Sequence, residues 1–549
     1  MTPTAFPAPA NETRPAPTWW VSVLEQFDRA AFGLFCLAVF AYVAVIFAVS
    51  KWQLDTLRMG FDPLVYEQPL WNTLRGRVAE QSALAYTTSA FGQDLFLFHF
   101  ALLPFYALVP TTATLLFVQA VGAAAGAIPL YLLARDLIPG RNLPALLVAA
   151  CYLAYVPLQN VNTYEVQPRL FAATFLLFAY WCLTRAFAPG YWLFVLLALT
   201  NRTDTALVVA ALGVYGLLFA RDGARRWDGR KRFVFGWLPL IVGLGYWLLA
   251  EFVVVPAFAR GAQFSYLQNY DWLGANIGAI LETALTRPGY VFGQVFGPDR
   301  LVYALQLLAP LAFLPLLAPR ALLPGLPPFL LNILAGPDYA YQRDIFHQYP
   351  ALIIPWLFVA VVVAVSRFAE GTHALQRLRP RVRRPRIAFR PHLRNGRDTR
   401  AAVAASLLCL ALACTVLQQF TVRPNRIGSF VRNLGDRQGP NRAESVDILV
   451  SLMEPQDAPL AVTNLAALQV PMRRYVYLFP DGRFYGVAPL DRVEYVLGNR
   501  RSGSESAVLD ALISGGQWQT VKVQGDFQLL RRVGSRQSAV GGRQESGDG

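Results

Sequence analysis

Met59-Gly-Phe-Asp-Pro-Leu-Val-Tyr-Glu-Gln-Pro-Leu-Trp-Asn72 follows closely on the first long apolar run of the chain, Ala31–Ser50. It sets two carboxylates, Asp62 and Glu67, among aromatics that favour a membrane interface: Phe61, Tyr66 and Trp71. Carboxylates held at a bilayer surface by flanking aromatics call for a reason. One reading is a catalytic base that faces a lipid-borne substrate. The other is a solvated loop that follows a membrane anchor. The rest of the chain bears on that choice.

The 549 residues are 55% hydrophobic and only 15% charged, against about 25% charged in soluble domains. Many apolar runs approach or exceed ~18 residues, so the expected fold is mainly α, a polytopic helical membrane protein. Its formal net charge of +15 would suggest nucleic acid in a soluble protein. In a membrane chain, basic residues gather in cytoplasmic loops, and no nucleic-acid partner is expected. The five cysteines, Cys36, Cys151, Cys182, Cys409 and Cys414, all lie in apolar runs and read as small buried residues. The four histidines are too scattered for a metal motif. The carboxylates of the loops are acceptable hard ligands for a divalent cation, but no spacing demands one, and no other cofactor is expected.

Residues 1–27 are rich in Pro and Ala and are expected as a disordered cytoplasmic tail. The run that begins near Ala31 is too long for a signal core and reads as a retained anchor. Residues 28–420 form the polytopic domain. Its first outer loop is 51–113, where Leu95–Val109, with Pro104 inside, reads as an interfacial or re-entrant helix. About eleven spans are expected: Ala31–Ser50, Thr114–Ala134, Leu143–Leu158, Leu170–Leu183, Tyr191–Thr200, Thr205–Ala220, Phe235–Val255, Val302–Ala318, Ala321–Leu334, Ala351–Val365 and Ala401–Phe420. A basic cytoplasmic loop occupies 366–400. Residues 421–533 read as a small α/β extracytoplasmic domain, with strands at Pro459–Asn464, Tyr475–Phe479 and Val493–Leu497, a helix at Ser506–Ser514 and a hairpin across Gln524-Gly-Asp526. It has no Walker loop and no GxGxxG. The tail 534–549 is expected to be disordered.

The charge pattern fixes an orientation. With the N-terminus cytoplasmic, Arg135, Arg141, Arg185, Arg320, the cluster Arg221–Arg232 and the Arg-rich stretch Arg367–Arg400 all fall inside, as the positive-inside rule expects. The same parity puts Asp62, Glu67, Asp94, Glu165, Asp204, Asp338, Asp344, His99, His347, Arg169 and Arg202 outside. Acidic, basic and imidazole groups thus collect at one membrane face, which is how a site for a lipid-linked polar substrate would be built. The tyrosines and Trp272 of the loop 256–301 suit sugar stacking or an ordinary aromatic belt.

An Asp-bearing first outer loop, an interfacial helix, many spans and a C-terminal outer domain together resemble the GT-C glycosyltransferases, which use polyprenyl-phosphate sugars. More closely, the chain is similar to a bacterial and archaeal family of predicted membrane proteins of unknown function within that fold. The stretches that carry the resemblance are Gly60–Asn72, Phe98–Pro104 with Tyr106–Pro110, Phe346-His-Gln-Tyr-Pro-Ala-Leu-Ile-Ile-Pro355 and Ala461–Pro480, and the resemblance covers most of the chain. Two positions depart from the family pattern. Glu67-Gln68 stands where an Asp-Gln pair is usual, and Arg202-Thr-Asp204 where Lys/Glu-Asp is usual.

The resemblance implies sugar transfer from a polyprenyl-phosphate donor to an acceptor hydroxyl at the extracytoplasmic face of the cell membrane. Asp62 is then the general base, Glu67 the second candidate, and Glu165 a further acid or a group that orients the sugar. Arg202, Arg169 and His347 would meet the leaving phosphate, with Asp204, His99, Tyr66 and Trp71 completing the substrate site. Two rivals stand beside this reading. One is a transporter or flippase of a lipid-linked or polar solute. The other is a non-catalytic scaffold whose outer domain binds a partner.

Overall fold

The computed structural model describes residues 19–138, 142–222, 225–259, 266–377, 396–422, 425–436, 438–480 and 486–534. Most of the expected N-terminal tail, most of the Arg-rich loop and nearly all of the C-terminal tail lie outside the described residues.

The first helix, α1 (Trp19–Asp55), is long and apolar. Its 28 residues from Asp28 to Asp55 rise roughly 42 Å, more than the ~30 Å hydrocarbon layer. Among the described residues, five helices are long and apolar enough to cross a membrane: Asp28–Asp55, Thr112–Leu137, Gly229–Phe258, Tyr349–Ala369 and Arg400–Thr421. Leu143–Ala154 and Val156–Tyr164, bent by 47°, make a sixth if taken as one span. The other five expected spans are short or broken. Arg169–Thr184, Ala188–Leu199 and Thr205–Phe219 have 16, 12 and 15 residues. In the region expected as two spans between residues 302 and 334, a helix ends at Leu308 and short 3₁₀ turns follow. The cause is written in Pro310, Pro315, Pro319 and Pro324, each of which lacks an N–H and cannot continue a helix.

Two short helices of the first loop carry the rest of the architecture. The second helix, α2 (Asp62–Thr73), starts with Asp62 in its first turn and Pro63 behind it, a favourable order for a helix N-terminus. The third, α3 (His99–Leu108), has Pro104 inside and leaves Phe105 and Leu108 exposed, as an interfacial helix would.

The C-terminal module is a five-stranded mixed sheet. Its strands are β1 (Leu460–Thr463), β2 (Val476–Phe479), β3 (Tyr495–Asn499), β4 (Trp518–Gln524) and β5 (Phe527–Arg532), in the order β2-β1-β3-β5-β4. β1 runs parallel to β2 and β3, and β5 antiparallel to β3 and β4. The helices Gln438–Ser451 and Gly503–Ser514 cover it. The strands fall within two residues of the stretches read as strands in the sequence; the helix Gln438–Ser451 has no counterpart in that reading.

This module and the first loop share one core. Phe61 just before α2, Leu64 and Val65 of α2, and Ala83 and Leu84 pack with Leu449, Leu460, Val462, Leu478 and Phe527. Polar contacts fix the register. Ser82 Oγ donates to Val476 O and accepts from Val476 N, both at 2.9 Å, which caps the outer edge of β2. Gln68 Nε2 donates to Arg474 O at 2.8 Å. α2 is therefore clamped by the C-terminal module on one side, and its N-terminus is free to be aimed elsewhere.

Candidate active site

A cavity of about 750 Å³ opens beside the N-terminus of α2. Asp62, Tyr66, Arg169, Arg202, Asp204 and His347 all line it, together with Asp94, Tyr164, Glu251, Tyr341 and Gln348. A pocket of this size with a few convergent charged groups is the usual form of a small-ligand site.

Glu165 stands directly behind Asp62. Its Oε2 accepts from the Asp62 backbone N–H at 2.9 Å, which satisfies one of the donors a helix leaves open at its start. The two carboxyl groups also hydrogen-bond each other. The close approach needs Gly60: a Cβ there would meet Glu165 Oε1 at 2.3 Å. Burial first, and then the Asp62 charge, hold Glu165 well above the usual carboxylate range. In such a pair one proton is shared, and the deeper group retains it. Glu165 is therefore the member that favours the proton.

The cations of the cavity come from two elements: Arg169 opens the helix Arg169–Thr184, and Arg202 lies in the loop between Leu199 and Thr205. Arg169 Nη2 lies 2.6 Å from Asp204 Oδ2, and Arg202 Nη2 lies 2.8 Å from Asp94 Oδ2. Arg202 Nη1 donates to Tyr66 Oη at 3.0 Å, so α2 and this loop are tied across the cavity wall. Asp94 also accepts from Thr203 N and Thr203 Oγ1, at 2.8 and 2.6 Å. Burial opposes ionisation of Asp204, but Arg169 and then Arg202 outweigh it and hold its carboxyl below the usual range. His347 stacks edge-on against Tyr164 and Phe346 and lies 3.6 Å from Asp344. Burial lowers its basicity despite Asp344.

Glu67, His99 and Trp71 do not line the cavity. Glu67 is buried on another side of α2, where it accepts from Tyr106 Oη at 2.9 Å and from Thr112 Oγ1. Burial raises its pKa to about 7, against the opposing pull of those hydroxyls. His99 is buried between Phe96 and Phe100. Trp71 carries the Arg75 guanidinium 3.7 Å above its ring. Among the described residues, no group of three His, Cys, Asp or Glu side chains converges as a metal cage.

Sequence reasoning assigns no role to three charged residues of this region. It groups Asp94 with the outer-loop carboxylates and goes no further. Glu251 is hidden inside the apolar helix Gly229–Phe258, although a carboxylate within a span is itself a signal. Arg426 is buried outside the cavity lining, with Nη1 2.6 Å from Gln53 Oε1. Its signal is a basic residue just past the last long apolar helix.

Comparison with known proteins places this geometry. A family model described as a predicted membrane protein, DUF2079, matches residues 53–529. ArnT from Cupriavidus metallidurans in the apo state superposes with a TM-score of 0.51 at 13% identity, over 91% of this chain and 98% of that one. ArnT bound to undecaprenyl phosphate gives 0.50 at 13% identity, over 90% and 98%. The archaeal oligosaccharyltransferase AglB from Archaeoglobus fulgidus, in complex with an inhibitory peptide and a dolichol-phosphate, gives 0.43 at 11% identity, over 88% and 70%. No curated protein matches the chain. These neighbours are GT-C glycosyltransferases. The chain belongs to the DUF2079 family of predicted membrane proteins, and its fold is that of the GT-C glycosyltransferases.

Proposed function

We propose that this protein transfers a sugar from a polyprenyl-phosphate donor to an acceptor hydroxyl at the extracytoplasmic face of the cell membrane, with Asp62 as general base. The observation that carries the reading is Asp62, backed by Glu165, at the wall of a cavity that Arg169 and Arg202 also line. The undecaprenyl phosphate bound to ArnT supports the same class of lipid here.

The acceptor hydroxyl gives its proton to the Asp62 carboxylate as its oxygen attacks the anomeric carbon. The bond from that carbon to the phosphate oxygen breaks, and the phosphate leaves with the electron pair as polyprenyl phosphate. A base in contact with the acceptor contributes about 10²–10⁴-fold. Glu165, protonated, holds Asp62 in place and leaves it ionised. Arg169 and Arg202 meet the phosphate by giving up part of their contact with Asp204 and Asp94, and a guanidinium suits that oxyanion geometry. The positive-inside pattern supports the extracytoplasmic side.

The test is a titration of the full-length protein in lipid nanodiscs with undecaprenyl phosphate, read by native mass spectrometry. Saturable binding is expected, weakened about tenfold or more by Arg202→Gln and kept by Asp62→Asn. Absence of binding, or binding indifferent to both arginines, would overturn the proposal.

A further inference from the structure

A buried cation from the far end of the chain lies against Thr163 and Tyr164, the two residues that precede Glu165. The short helix Arg426–Arg432 follows the last apolar helix and leads into the C-terminal module. Its first residue, Arg426, is 8% exposed. The guanidinium lies 3.9 Å from the centre of the Phe346 ring and 4.8 Å from that of Tyr164. Its Nη1 donates to Gln53 Oε1 at 2.6 Å and toward Thr163 O at 3.4 Å. Gln53 Nε2 donates to the same Thr163 carbonyl at 2.9 Å. The Arg426 backbone N–H reaches Asn160 Oδ1 at 3.3 Å. So α1, the helix Val156–Tyr164 and the 346–347 turn all converge on one buried cation.

A buried cation needs a counter-charge nearby, because lone charges are expelled from low-dielectric surroundings. The Nη1 hydrogen bonds of Arg426 end on a side-chain amide and a backbone carbonyl, both neutral. The titratable and charged groups that face it are Tyr164 and Glu165 from the end of Val156–Tyr164, Asp344 and His347 from the loop above, and Asp62 through Glu165. α1 contributes the neutral Gln53. Asp62 and Glu165 with one proton between them carry a single negative charge, and Arg426 carries a single positive one.

We infer that Arg426 is the positioning cation of the base: it holds the Asp62–Glu165 pair at one net negative charge, so that the segment entering the C-terminal module completes a site it does not line. This rests on the proposed role of Asp62 but concerns a residue that touches neither substrate nor acceptor. Burial pulls Arg426 down to about 10, still cationic at neutral pH, and its charge works against the rise of Glu165. Without it, the pair holds its protons to higher pH.

The experiment reads the pair without needing a substrate. An apolar carbodiimide adds to protonated carboxyls and leaves a stable acylurea that peptide mass spectrometry locates. The full-length protein in nanodiscs is labelled across a pH series, and the label on Asp62 and Glu165 is plotted against pH. Arg426→Gln is expected to move the midpoint of labelling up by at least one pH unit, and Arg426→Lys to restore most of it. Transfer activity, where measured, shifts its acidic limb upward by the same amount. An unchanged midpoint in folded Arg426→Gln protein overturns the inference. Where that variant fails to fold, Gln53→Leu, which frees the guanidinium from its 2.6 Å anchor, is expected to raise the midpoint too, and no shift there overturns the inference equally. A shifted midpoint in a protein that transfers no sugar supports the charge balance and removes only the transferase reading.

Discussion

Asp62 and Glu67 stand five residues apart on the same short helix, one at a cavity wall and the other in a closed pocket. Asp62 has an acid partner behind it, open volume in front and two arginines lining the same cavity. Glu67 has the hydroxyls of Tyr106 and Thr112 and no open volume. Both are carboxylates beside interfacial aromatics, so residue type and neighbours in sequence do not separate them. The helix turns roughly 140° between them, and the C-terminal module, packed on a further face of α2, sets which one looks into the cavity. What separates two such carboxylates is what each can reach and which group shares its proton.

The largest expected effect that separates the two is in rate. Asp62→Asn is expected to lower transfer by about 10²–10⁴-fold, while Glu67→Gln keeps transfer within a few-fold, both measured with labelled polyprenyl-phosphate sugars. Gly60→Ala comes next. The new Cβ would fall 2.3 Å from Glu165 Oε1 and would push the pair apart. A displacement of this order costs about 10²-fold when geometry carries the catalysis, and the melting temperature should change little by comparison. Equal activity in Gly60→Ala would show that the contact between Asp62 and Glu165 is incidental.

The smallest effect belongs to the closed pocket and appears in stability. Burial holds Glu67 at about 7 in the folded protein against 4.5 ordinarily. A raised carboxyl binds its proton more tightly when folded. Its contribution is therefore complete below about pH 4.5 and declines as pH rises toward 7, by at most about 1.4 kcal/mol per pH unit. Glu67→Gln should flatten that part of the melting-temperature profile, measured in detergent from pH 4.5 to pH 8. A slope that survives the substitution assigns it to another group.

Much of this is readable in the chain. The five long apolar helices and the strands of the C-terminal module follow from hydrophobic period and turn residues. One charge parity puts the cavity-lining groups of the loops on a single side. The broken region 302–334 escapes that reading because an apolar average hides what Pro310, Pro315, Pro319 and Pro324 do to the backbone. Arg426 is illegible as a partner of this site, because its anchor Gln53 is 373 residues away in sequence. The turning of Glu67 into its pocket is equally hidden, since it depends on Tyr106 and Thr112 arriving from α3 and the helix that follows.

The most direct measurement follows binding and transfer in one sample of Asp62→Asn protein. Nanodiscs containing the full-length variant are titrated with undecaprenyl phosphate and then supplied with labelled polyprenyl-phosphate sugar and a membrane extract as acceptor source, beside the wild type. The account predicts binding equal to wild type and transfer reduced by about 10²-fold or more. Transfer preserved in a variant that still binds the lipid would contradict it and would move the base away from α2.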